Sequence, residues 1–447
     1  MTPKRILTRA VCLTFLVALG EATSSAAEPK FTVTVTTDRK SAIYEVGEEA
    51  EFIIQVQKDG EFGAKGSLSF AIGDFLESGQ KARLPHGVMA IPNRPLRVKV
   101  KGRRSEFLRC QVTVTPTAHK PIKAVAAAGF SPEKIGLSLP VPDDFDEFWA
   151  EQKKQLAKIK PDPKLTPVNH TDEFVACFDV QVQCLGGAPV SGYFSKPVKT
   201  KPKSLPAILW VHGAGVRSSS LGNAVKGARS GFLSLDINAH GIPNGQPGSF
   251  YKDLNAGKLK NYRHAGRKSR DTIYFRGMFL RLVRAIDFLT SQPEWNGQHV
   301  VVVGHSQGGG QSLAAGGLDD RVTMIAPGVP AICDHSGQAA GRINGWPKLV
   351  PLAPGGTGLV PEPTILEAAR YVDAVNFATR CKAEAVMSVG FVDAVCPPSS
   401  CYAAYNALKG RKSVINEPLM GHAAPAHIHE AFFKRILEHV KSRPGKQ

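Results

Sequence analysis

The chain has 447 residues, 43% of them hydrophobic and 21% charged, which is enough apolar material for more than one domain. Its formal net charge is +18, but the basic residues are spread along the chain and no nucleic-acid-binding motif occurs, which argues against a partner nucleic acid. Beyond the N-terminal region no stretch is long and apolar enough to cross a bilayer, which argues against stable membrane insertion. The basic surface could attract acidic polymers or could simply be solvated.

Residues 1–27 have the pattern of a secretory signal peptide. Lys4, Arg5 and Arg9 form a basic start, and a ten-residue apolar run follows over 10–19. Small residues at 25–27 suit a signal peptidase, so we expect cleavage there and a secreted or periplasmic protein. The apolar run could instead stay as an anchor. Cleavage would remove three basic residues and one glutamate and leave a net charge of +16.

Seven cysteines would remain after cleavage, so at least one thiol would be free even if disulfides form. Cys177 and Cys184 are close enough in sequence to pair, as are Cys396 and Cys401, but spacing alone does not determine the pairing. No C-x-x-C pattern indicates a zinc site.

Residues 28–122 are predicted to form an all-β domain. Residues 31–36 alternate strictly between apolar side chains and threonine, as in a half-buried strand. Further β-like runs, separated by Gly, Pro and Asp, occupy 50–56, 66–72, 96–100 and 107–115. This spacing predicts a small immunoglobulin-like sandwich. It contains no obvious catalytic cluster, so we expect it to dock the protein or shape the entrance of an active site.

Residues 123–171 are predicted to form a linker with a helix near its middle. Asp143 or Asp144 would cap that helix, and its apolar side carries aromatic residues, including Phe148 and Trp149. From 172 to 447, short apolar strands alternate with amphipathic helices, which predicts a mostly parallel, doubly wound α/β sheet. The predicted strands are 207–211, 232–235, 300–303, 322–326, 385–389 and 413–416, and the clearest helices are 272–289 and 427–440.

The segment Gly304-His305-Ser306-Gln307-Gly308 has the pattern G-x-S-x-G. A β-branched run precedes it and a helix-forming segment follows it, which is the context of a nucleophile elbow. Such a turn lifts the serine hydroxyl above the sheet, and its glycines leave room for close backbone contacts. The pattern predicts Ser306 as a nucleophile, whereas the alternative is a glycine-rich turn with a buried serine.

A serine hydroxyl needs a base within hydrogen-bond reach and a third group that orients the base. Asp393 follows the predicted strand 385–389, and His422 follows the next predicted strand, so both would lie at the same sheet edge as Ser306. The order Ser306, Asp393, His422 is that of α/β-hydrolases. Alternative acidic or imidazole groups are Asp334, Asp373, His305, His427 and His429.

Two backbone N–H groups are candidates for an oxyanion hole. One belongs to Gln307, the residue after the predicted nucleophile, and the other to Ala214, in the loop after strand 207–211. No metal or other cofactor is needed for this chemistry, and no His/Asp cluster has convincing metal-ligand spacing.

Four segments stand out: the Asp-Phe-Asp-Glu-Phe-Trp run 144–149, the elbow with its three glycines 304–310, Pro-Ala-Ile-Cys-Asp 330–334, and Gly-Phe-Val-Asp-Ala-Val-Cys-Pro-Pro 390–398. Together they resemble the acetyl xylan esterase / cephalosporin-C deacetylase family of α/β-hydrolases. The resemblance covers about residues 125–445 and implies Ser306 as nucleophile, Asp393 as acid and His422 as base. It also implies removal of short acyl groups from a carbohydrate. The family usually has tyrosine at the position of Ala214, so the substrate and the formation of a homo-oligomer stay open.

The sequence thus predicts a secreted serine esterase that removes acetyl groups from acetylated xylan or another polysaccharide. Alternatives are another hydrolase of this fold, such as an aryl or glucuronoyl esterase or a peptidase, and a non-catalytic polysaccharide-binding protein. The insertion 244–270, rich in Gly, Lys and Arg, is either a mobile lid or a solvated loop.

Overall fold

The computed structural model describes residues 29–76, 84–353 and 360–442. The predicted signal peptide, 1–27, lies outside the described residues. Within them, no helix combines the length and the hydropathy needed to cross a membrane.

The N-terminal part consists of two antiparallel-rich sheets that share one apolar core. The first sheet has three strands in the order β1-β3-β6, and the second has five in the order β2-β8-β7-β4-β5. In β3, every second residue from Ala50 to Val56 is buried, because successive side chains of a strand point to opposite faces. The strands are β1 Phe31–Thr37, β2 Ile43–Tyr44, β3 Glu49–Lys58, β4 Gly66–Gly73, β5 His86–Ala90, β6 Leu96–Lys101, β7 Glu106–Pro116 and β8 Ile122–Phe130.

The linker that was predicted over 123–171 contributes to both flanking sheets. Strand β8 begins at Ile122 and pairs with β7 over nine residues, so the N-terminal sheet continues beyond the predicted boundary. Strand β9, Lys164–Pro167, pairs with β10, Val175–Val182, and so forms one edge of the following sheet. Between them lies helix α1, Phe145–Ala157. Asp144 occupies its N-cap position, but its carboxylate accepts hydrogen bonds from Tyr371 and Arg270 instead of capping the helix.

A nine-stranded sheet forms the second part, in the order β17-β16-β15-β14-β12-β13-β11-β10-β9. Six neighbouring strands are parallel to one another, namely β17, β16, β15, β14, β12 and β13. Strands β11, β10 and β9 extend the sheet with antiparallel pairing. This matches the mostly parallel arrangement expected from the alternation of strands and helices. The remaining strands are β10 Val175–Val182, β11 Val190–Pro197, β12 Leu205–Val211, β13 Leu233–Ile237, β14 Trp295–His305, β15 Met324–Gly328, β16 Glu384–Gly390 and β17 Lys412–Glu417.

Helices cover both faces of this sheet, as the doubly wound prediction requires. Along β14, Val300 and Val302 belong to the core on one face, and Val301 and Val303 belong to the core on the other. Both sets are buried because the strand is covered on both sides, which explains its unbroken run of valines. The helices are α2 Leu221–Arg229, α3 Gly248–Ala256, α4 Tyr274–Thr290, α5 Gln307–Leu318, α6 Pro363–Arg370, α7 Ala374–Ala378, α8 Pro398–Ala407 and α9 Ala426–Ser442.

The N-terminal sheets pack directly against the larger sheet's helical layer. Phe107 of β7 makes an edge-on contact with Phe391, with ring centroids 5.0 Å apart, and also contacts Tyr402 of α8. Asn406 adds polar contacts by donating hydrogen bonds to the carbonyls of Pro132 and Ile135. Phe391 comes two residues before Asp393, so this contact supports the loop that carries the predicted acid.

Candidate active site

Ser306 lies at the sharp turn between β14 and α5. Its backbone is in the strained region with φ 59° and ψ −123°, as expected for a residue forced into a tight strand-to-helix turn. A Cβ at Gly304 or Gly308 would lie 2.3 or 2.2 Å from the carbonyl oxygen of Val211 in the neighbouring strand. Only glycine therefore fits two positions before and two positions after the serine. The strand-turn-helix arrangement predicted from the sequence is present.

The structure brings Ser306, His422 and Asp393 into one hydrogen-bonded chain. The Oγ atom of Ser306 lies 2.9 Å from Nε2 of His422, and Nδ1 of His422 lies 2.8 Å from Oδ2 of Asp393. The carboxylate of Asp393 is fully buried, and its Oδ1 accepts backbone N–H groups from Val395 and Cys396 at 2.8 and 2.9 Å. Asp393 is thus held with one oxygen on the protein backbone and the other directed at the imidazole.

Asp393 and His422 come together because the loops that carry them are adjacent at one edge of the sheet. Asp393 follows β16 and His422 follows β17, two neighbouring parallel strands. The loops are joined by the N–H of Val392, which donates to the carbonyl of Met420 at 3.2 Å. Because carboxyl ends of parallel strands share one edge of the sheet, residues far apart in sequence can meet there.

The alternative acidic residues are engaged elsewhere. The carboxylate of Asp373 accepts backbone N–H groups from Asp334 and His335 at 2.9 and 2.6 Å, and burial raises its pKa to about 7. Asp334 is also fully buried and pairs with Arg342, while burial raises the pKa of its carboxyl group. Both groups organise the loop that follows β15, and neither forms a hydrogen bond with an imidazole.

The alternative histidines also have other contacts. His305 stacks on Phe432 of α9 with ring centroids 5.4 Å apart and lies 4.5 Å from the ring of His429. Burial lowers the pKa of His305 to about 4, so its ring is neutral at pH 7. His427 pairs with Glu417 at 2.8 Å. His305 therefore packs against α9.

Both predicted oxyanion segments lie next to Ser306. Gln307 is the first residue of α5, where a backbone N–H has no partner within the helix. A Cβ at Gly213 would lie 3.5 Å from Cβ of Ser306, which places the loop 212–215 beside the serine. The N–H groups of Gln307 and of Ala214, the next residue in that loop, therefore stay the candidates for the oxyanion hole.

Two neutral histidines, one half-buried and one buried, hold the loop 212–215. Burial lowers the pKa of His212 to about 3 and that of His240 to about 4. Nε2 of His212 accepts the N–H of Ala239 at 3.0 Å, so its Nδ1 carries the proton and donates to the carbonyl of Gly213 at 2.5 Å. His240 lies 3.1 Å from the carbonyl of Gly215, so it holds the other end of the loop.

Comparison with known proteins assigns the family. The family model described as acetyl xylan esterase matches residues 137–438, which is more than half of the chain. The chain belongs to the acetyl xylan esterase family. Membership places it among the carboxylic ester hydrolases and confirms the resemblance noted in the sequence. The matched region begins after the two N-terminal sheets and ends in α9, so it contains Ser306, Asp393 and His422.

Individual members of the acetyl xylan esterase family agree with this assignment. The acetyl esterase Axe7A of Xylanibacter ruminicola is 32% identical over 301 residues, which is 66% of this chain and 66% of that protein. The acetyl xylan esterase of Paenibacillus sp. R4 superimposes with a TM-score of 0.59 at 26% identity, covering 69% of this chain and 98% of that one. Acetyl xylan esterase 1 from Thermoanaerobacterium sp. superimposes with a TM-score of 0.56 at 25% identity, covering 69% of this chain and 96% of that one. The larger sheet is therefore an α/β-hydrolase fold.

Sequence reasoning missed Tyr262, which the insertion 244–270 contributes to this esterase-family site. Its hydroxyl donates to Oε1 of Gln307 at 2.7 Å and accepts the N–H of Gly215 at 3.4 Å. Tyr262 is buried and burial raises its pKa to about 12, so the hydroxyl keeps its proton. The insertion also contains α3, so it is more than a solvated loop. The insertion contains two tyrosines, Tyr251 and Tyr262, among its lysines and arginines, and no sequence signal distinguishes the one that reaches the site.

Asp393, Cys396 and His422 each place one potential metal ligand within 4.8 Å of the others. Burial raises the pKa of the Cys396 thiol well above its usual value, so the thiol is neutral and a poor ligand. The imidazole and carboxylate already bind each other. The donor set therefore suits a hydrogen-bonded proton relay better than a metal centre, and the absence of a metal requirement stays a prediction. The seven cysteines within the described residues are all buried free thiols.

Proposed function

We propose that this protein is a serine esterase that removes acetyl or other short acyl groups from a carbohydrate. The observation that carries the proposal is the continuous hydrogen-bonded chain from Ser306 through His422 to Asp393. In this arrangement a base can take the serine proton while a buried carboxylate orients the base. Family membership supports an ester as the substrate.

In the first step, Oγ of Ser306 attacks the carbonyl carbon of the ester while Nε2 of His422 takes the hydroxyl proton. Asp393 holds the imidazole through Nδ1 and stabilises the imidazolium that forms. The carbonyl oxygen becomes an oxyanion, which the N–H groups of Gln307 and Ala214 stabilise. Collapse of this intermediate breaks the bond to the sugar oxygen. The imidazolium returns its proton to that oxygen and an acyl-serine remains.

The second step regenerates the enzyme. A water molecule gives a proton to Nε2 of His422 and attacks the acyl carbon, and the same N–H groups stabilise the second oxyanion. Breakdown of this intermediate returns the proton to Oγ of Ser306 and releases the carboxylic acid. The exposed fraction of the His422 side chain is 28%, so water can reach the imidazole.

The names of the relatives support acetyl groups and xylan, since two structural neighbours are acetyl xylan esterases and the curated relative is an acetyl esterase. We also propose that the two N-terminal sheets form an immunoglobulin-like sandwich that supports the catalytic domain. Their common buried core and the Phe107 contact favour this role. Export through the predicted signal peptide completes the proposal, because a polymeric glycan is met outside the cytoplasm.

Acetate release from acetylated xylan and hydrolysis of p-nitrophenyl acetate test the proposal, with Ser306→Ala as the comparison. We expect the parent to hydrolyse both and the variant to lose both activities. Hydrolysis of the small ester alone would move the natural substrate away from xylan. A parent that prefers longer acyl, aryl or glucuronoyl esters would belong with the other hydrolases of this fold. Binding of the polysaccharide with no turnover of any ester would overturn the proposal.

A further inference from the structure

Arg217 places a positive charge beside the candidate active site. Its Nη2 and Nη1 atoms lie 3.3 and 3.4 Å from the carbonyl oxygens of Gly213 and Ala214. A Cβ at Gly213 would be 3.8 Å from Nη2 of Arg217 and 3.5 Å from Cβ of Ser306. One small residue therefore separates the guanidinium from the proposed nucleophile.

This guanidinium is exposed, and the buried carboxyl group of Asp236 interacts with its charge only from beyond ion-pair distance. Within the described ranges, no carboxylate lies at ion-pair distance from Arg217, and its two carbonyl contacts are long and neutral. By contrast, Arg270 pairs with Asp144 and Arg342 pairs with Asp334. A planar guanidinium can form two parallel hydrogen bonds with a carboxylate or a sulfate group, so Arg217 has unused capacity to bind an anion.

The insertion that carries Tyr262 is itself rich in positive charge. Residues 252–268 contain six lysines and arginines and one aspartate, and none of them forms an ion pair with a described residue. Tyr262 connects this segment to the site through Gln307 and Gly215. Arg263 and Arg217 both act to lower the pKa of Tyr262, against the larger effect of burial. The positive charges of both arginines therefore lie near the tyrosine hydroxyl.

A cavity of about 390 Å³ adjoins Tyr262, and the exposed side chains of Lys260 and Arg263 line it. Its size suits part of a sugar chain, and two cations on its wall would attract negative substituents. Tyr262 lines this cavity and also contacts Gly215 in the loop next to Arg217, so we take the exposed side chains of Arg217, Lys260 and Arg263 together as one basic surface.

We propose that the acetylated glycan this site accepts is anionic, with carboxylate or sulfate groups near the acetylated sugar, and that Arg217 determines this specificity. The inference rests on the proposed esterase function and adds a substrate class to it. A neutral glycan gains nothing from the basic surface. An anionic glycan gains a higher encounter rate from the surface charge and a directed contact at Arg217.

The experiment compares kcat/KM for four substrates at low ionic strength. They are p-nitrophenyl acetate, neutral acetylated xylo-oligosaccharides, acetylated xylo-oligosaccharides with glucuronic acid, and acetylated oligosaccharides with sulfate. We expect kcat/KM to be about tenfold or more higher for one or both anionic sets than for the neutral set. Sodium chloride at about 0.5 M should remove this preference and leave p-nitrophenyl acetate hydrolysis unchanged. The two anionic sets distinguish uronate from sulfate recognition.

Variants test whether Arg217 causes the preference for anionic substrates. Arg217→Gln should bring the ratio of anionic to neutral substrates close to one, and Arg217→Lys should retain part of it. Arg103→Gln, which removes an exposed charge from the N-terminal part, should leave the ratio unchanged. If Arg217→Gln folds poorly, the double variant Lys260→Gln/Arg263→Gln provides the same comparison and should lower the ratio.

Two outcomes separate this inference from the proposed function. A parent that hydrolyses p-nitrophenyl acetate and treats neutral and anionic glycans equally overturns the anionic specificity and leaves the esterase function standing. A parent with no activity toward any of the four esters overturns the esterase function, and the inference with it. An anionic preference that persists in both Arg217→Gln and the double variant also overturns the assignment to this surface.

Discussion

The hydroxyl of Tyr262 lies 2.7 Å from Oε1 of Gln307 and 3.4 Å from the backbone nitrogen of Gly215. These two partners belong to the two segments that would supply the oxyanion N–H groups. The tyrosine comes from the insertion between β13 and α4, so one buried hydroxyl joins three separate parts of the chain. It sets the spacing between the loop 212–215 and the start of α5.

Tyr262→Phe should lower kcat for p-nitrophenyl acetate by about 10-fold to 100-fold with little change in KM. The variant keeps the ring and removes only the hydroxyl that holds the two segments, so the N–H donors would move relative to the oxyanion. Tyr251→Phe is a matched control, because Tyr251 belongs to the same insertion but its hydroxyl donates to the carbonyl of Pro243 and not to a residue of the site. Equal kinetics for the two variants would show that Tyr262 has no positioning role.

Asp393→Asn should reduce kcat by about 10⁴-fold while the protein stays folded. The amide can still accept the N–H groups of Val395 and Cys396, but it cannot stabilise the imidazolium of His422. Steady-state kinetics and thermal unfolding measure the two effects separately. Asp373→Asn is the control, since that buried carboxylate contacts only backbone N–H groups in the loop after β15 and in α7. A comparable loss of kcat in Asp373→Asn would contradict the assignment of Asp393.

Gly308→Ala should destabilise the protein by about 1–3 kcal/mol and lower its activity, because the new methyl group would lie 2.2 Å from the carbonyl oxygen of Val211. Chemical unfolding and p-nitrophenyl acetate hydrolysis test both effects. Gly421→Ala, directly before His422, is a demanding control, since its Cβ would meet no atom within 4 Å. We expect it to retain stability and most activity. An unchanged unfolding free energy in Gly308→Ala would refute the steric argument.

The stability of the protein should depend on pH through His335. This ring is fully buried, and burial lowers its pKa to about 3 from the ordinary 6.5. Between pH 6.5 and 3 the unfolded chain binds a proton here and the folded protein does not, so stability is lost as pH falls. For one such group the loss is at most about 1.4 kcal/mol per pH unit.

His335→Leu removes this titration. As the pH falls from 6.5 to 4, the unfolding free energy of the parent should therefore decrease relative to that of the variant, by up to about 1.4 kcal/mol for each pH unit. Urea unfolding at several pH values measures this difference. The exposed His86→Leu should show the same pH dependence as the parent. Parallel stability curves for His335→Leu and the parent would exclude the proposed role of the buried ring.

Chain order and local pattern were enough to predict the tight turn at Ser306 and the two residues that form a hydrogen-bonded chain with it. The run of valines in β14, the glycines around Ser306 and the helix that follows are local features, and short-range sterics determine them. Asp393 and His422 could be predicted because each follows a parallel strand, and such strands end at one edge. The alternative acid Asp373 could not be excluded from the sequence. Only the tertiary contacts show that the backbone of the loop after β15 occupies its carboxylate.

The boundary of the N-terminal part illustrates a second limit. Residues 122–130 are rich in alanine, which has little intrinsic preference for strands, so the pattern did not predict β8. Pairing with β7 over nine residues places this segment in the sheet. Strand propensity depends on the neighbouring strand, and the sequence of a single strand does not contain that information.

By itself, the sequence determined the α/β alternation and the glycine-flanked serine, and it predicted the order of acid and base, because these follow from local sterics and from strand direction. Tertiary structure alone decided that Tyr262, 45 residues before Gln307, reaches into the site. It also decided that Arg217 stays without a carboxylate partner among the described residues. Both facts depend on which loops come together above the sheet. A basic, glycine-rich insertion has no periodicity that could have predicted its path.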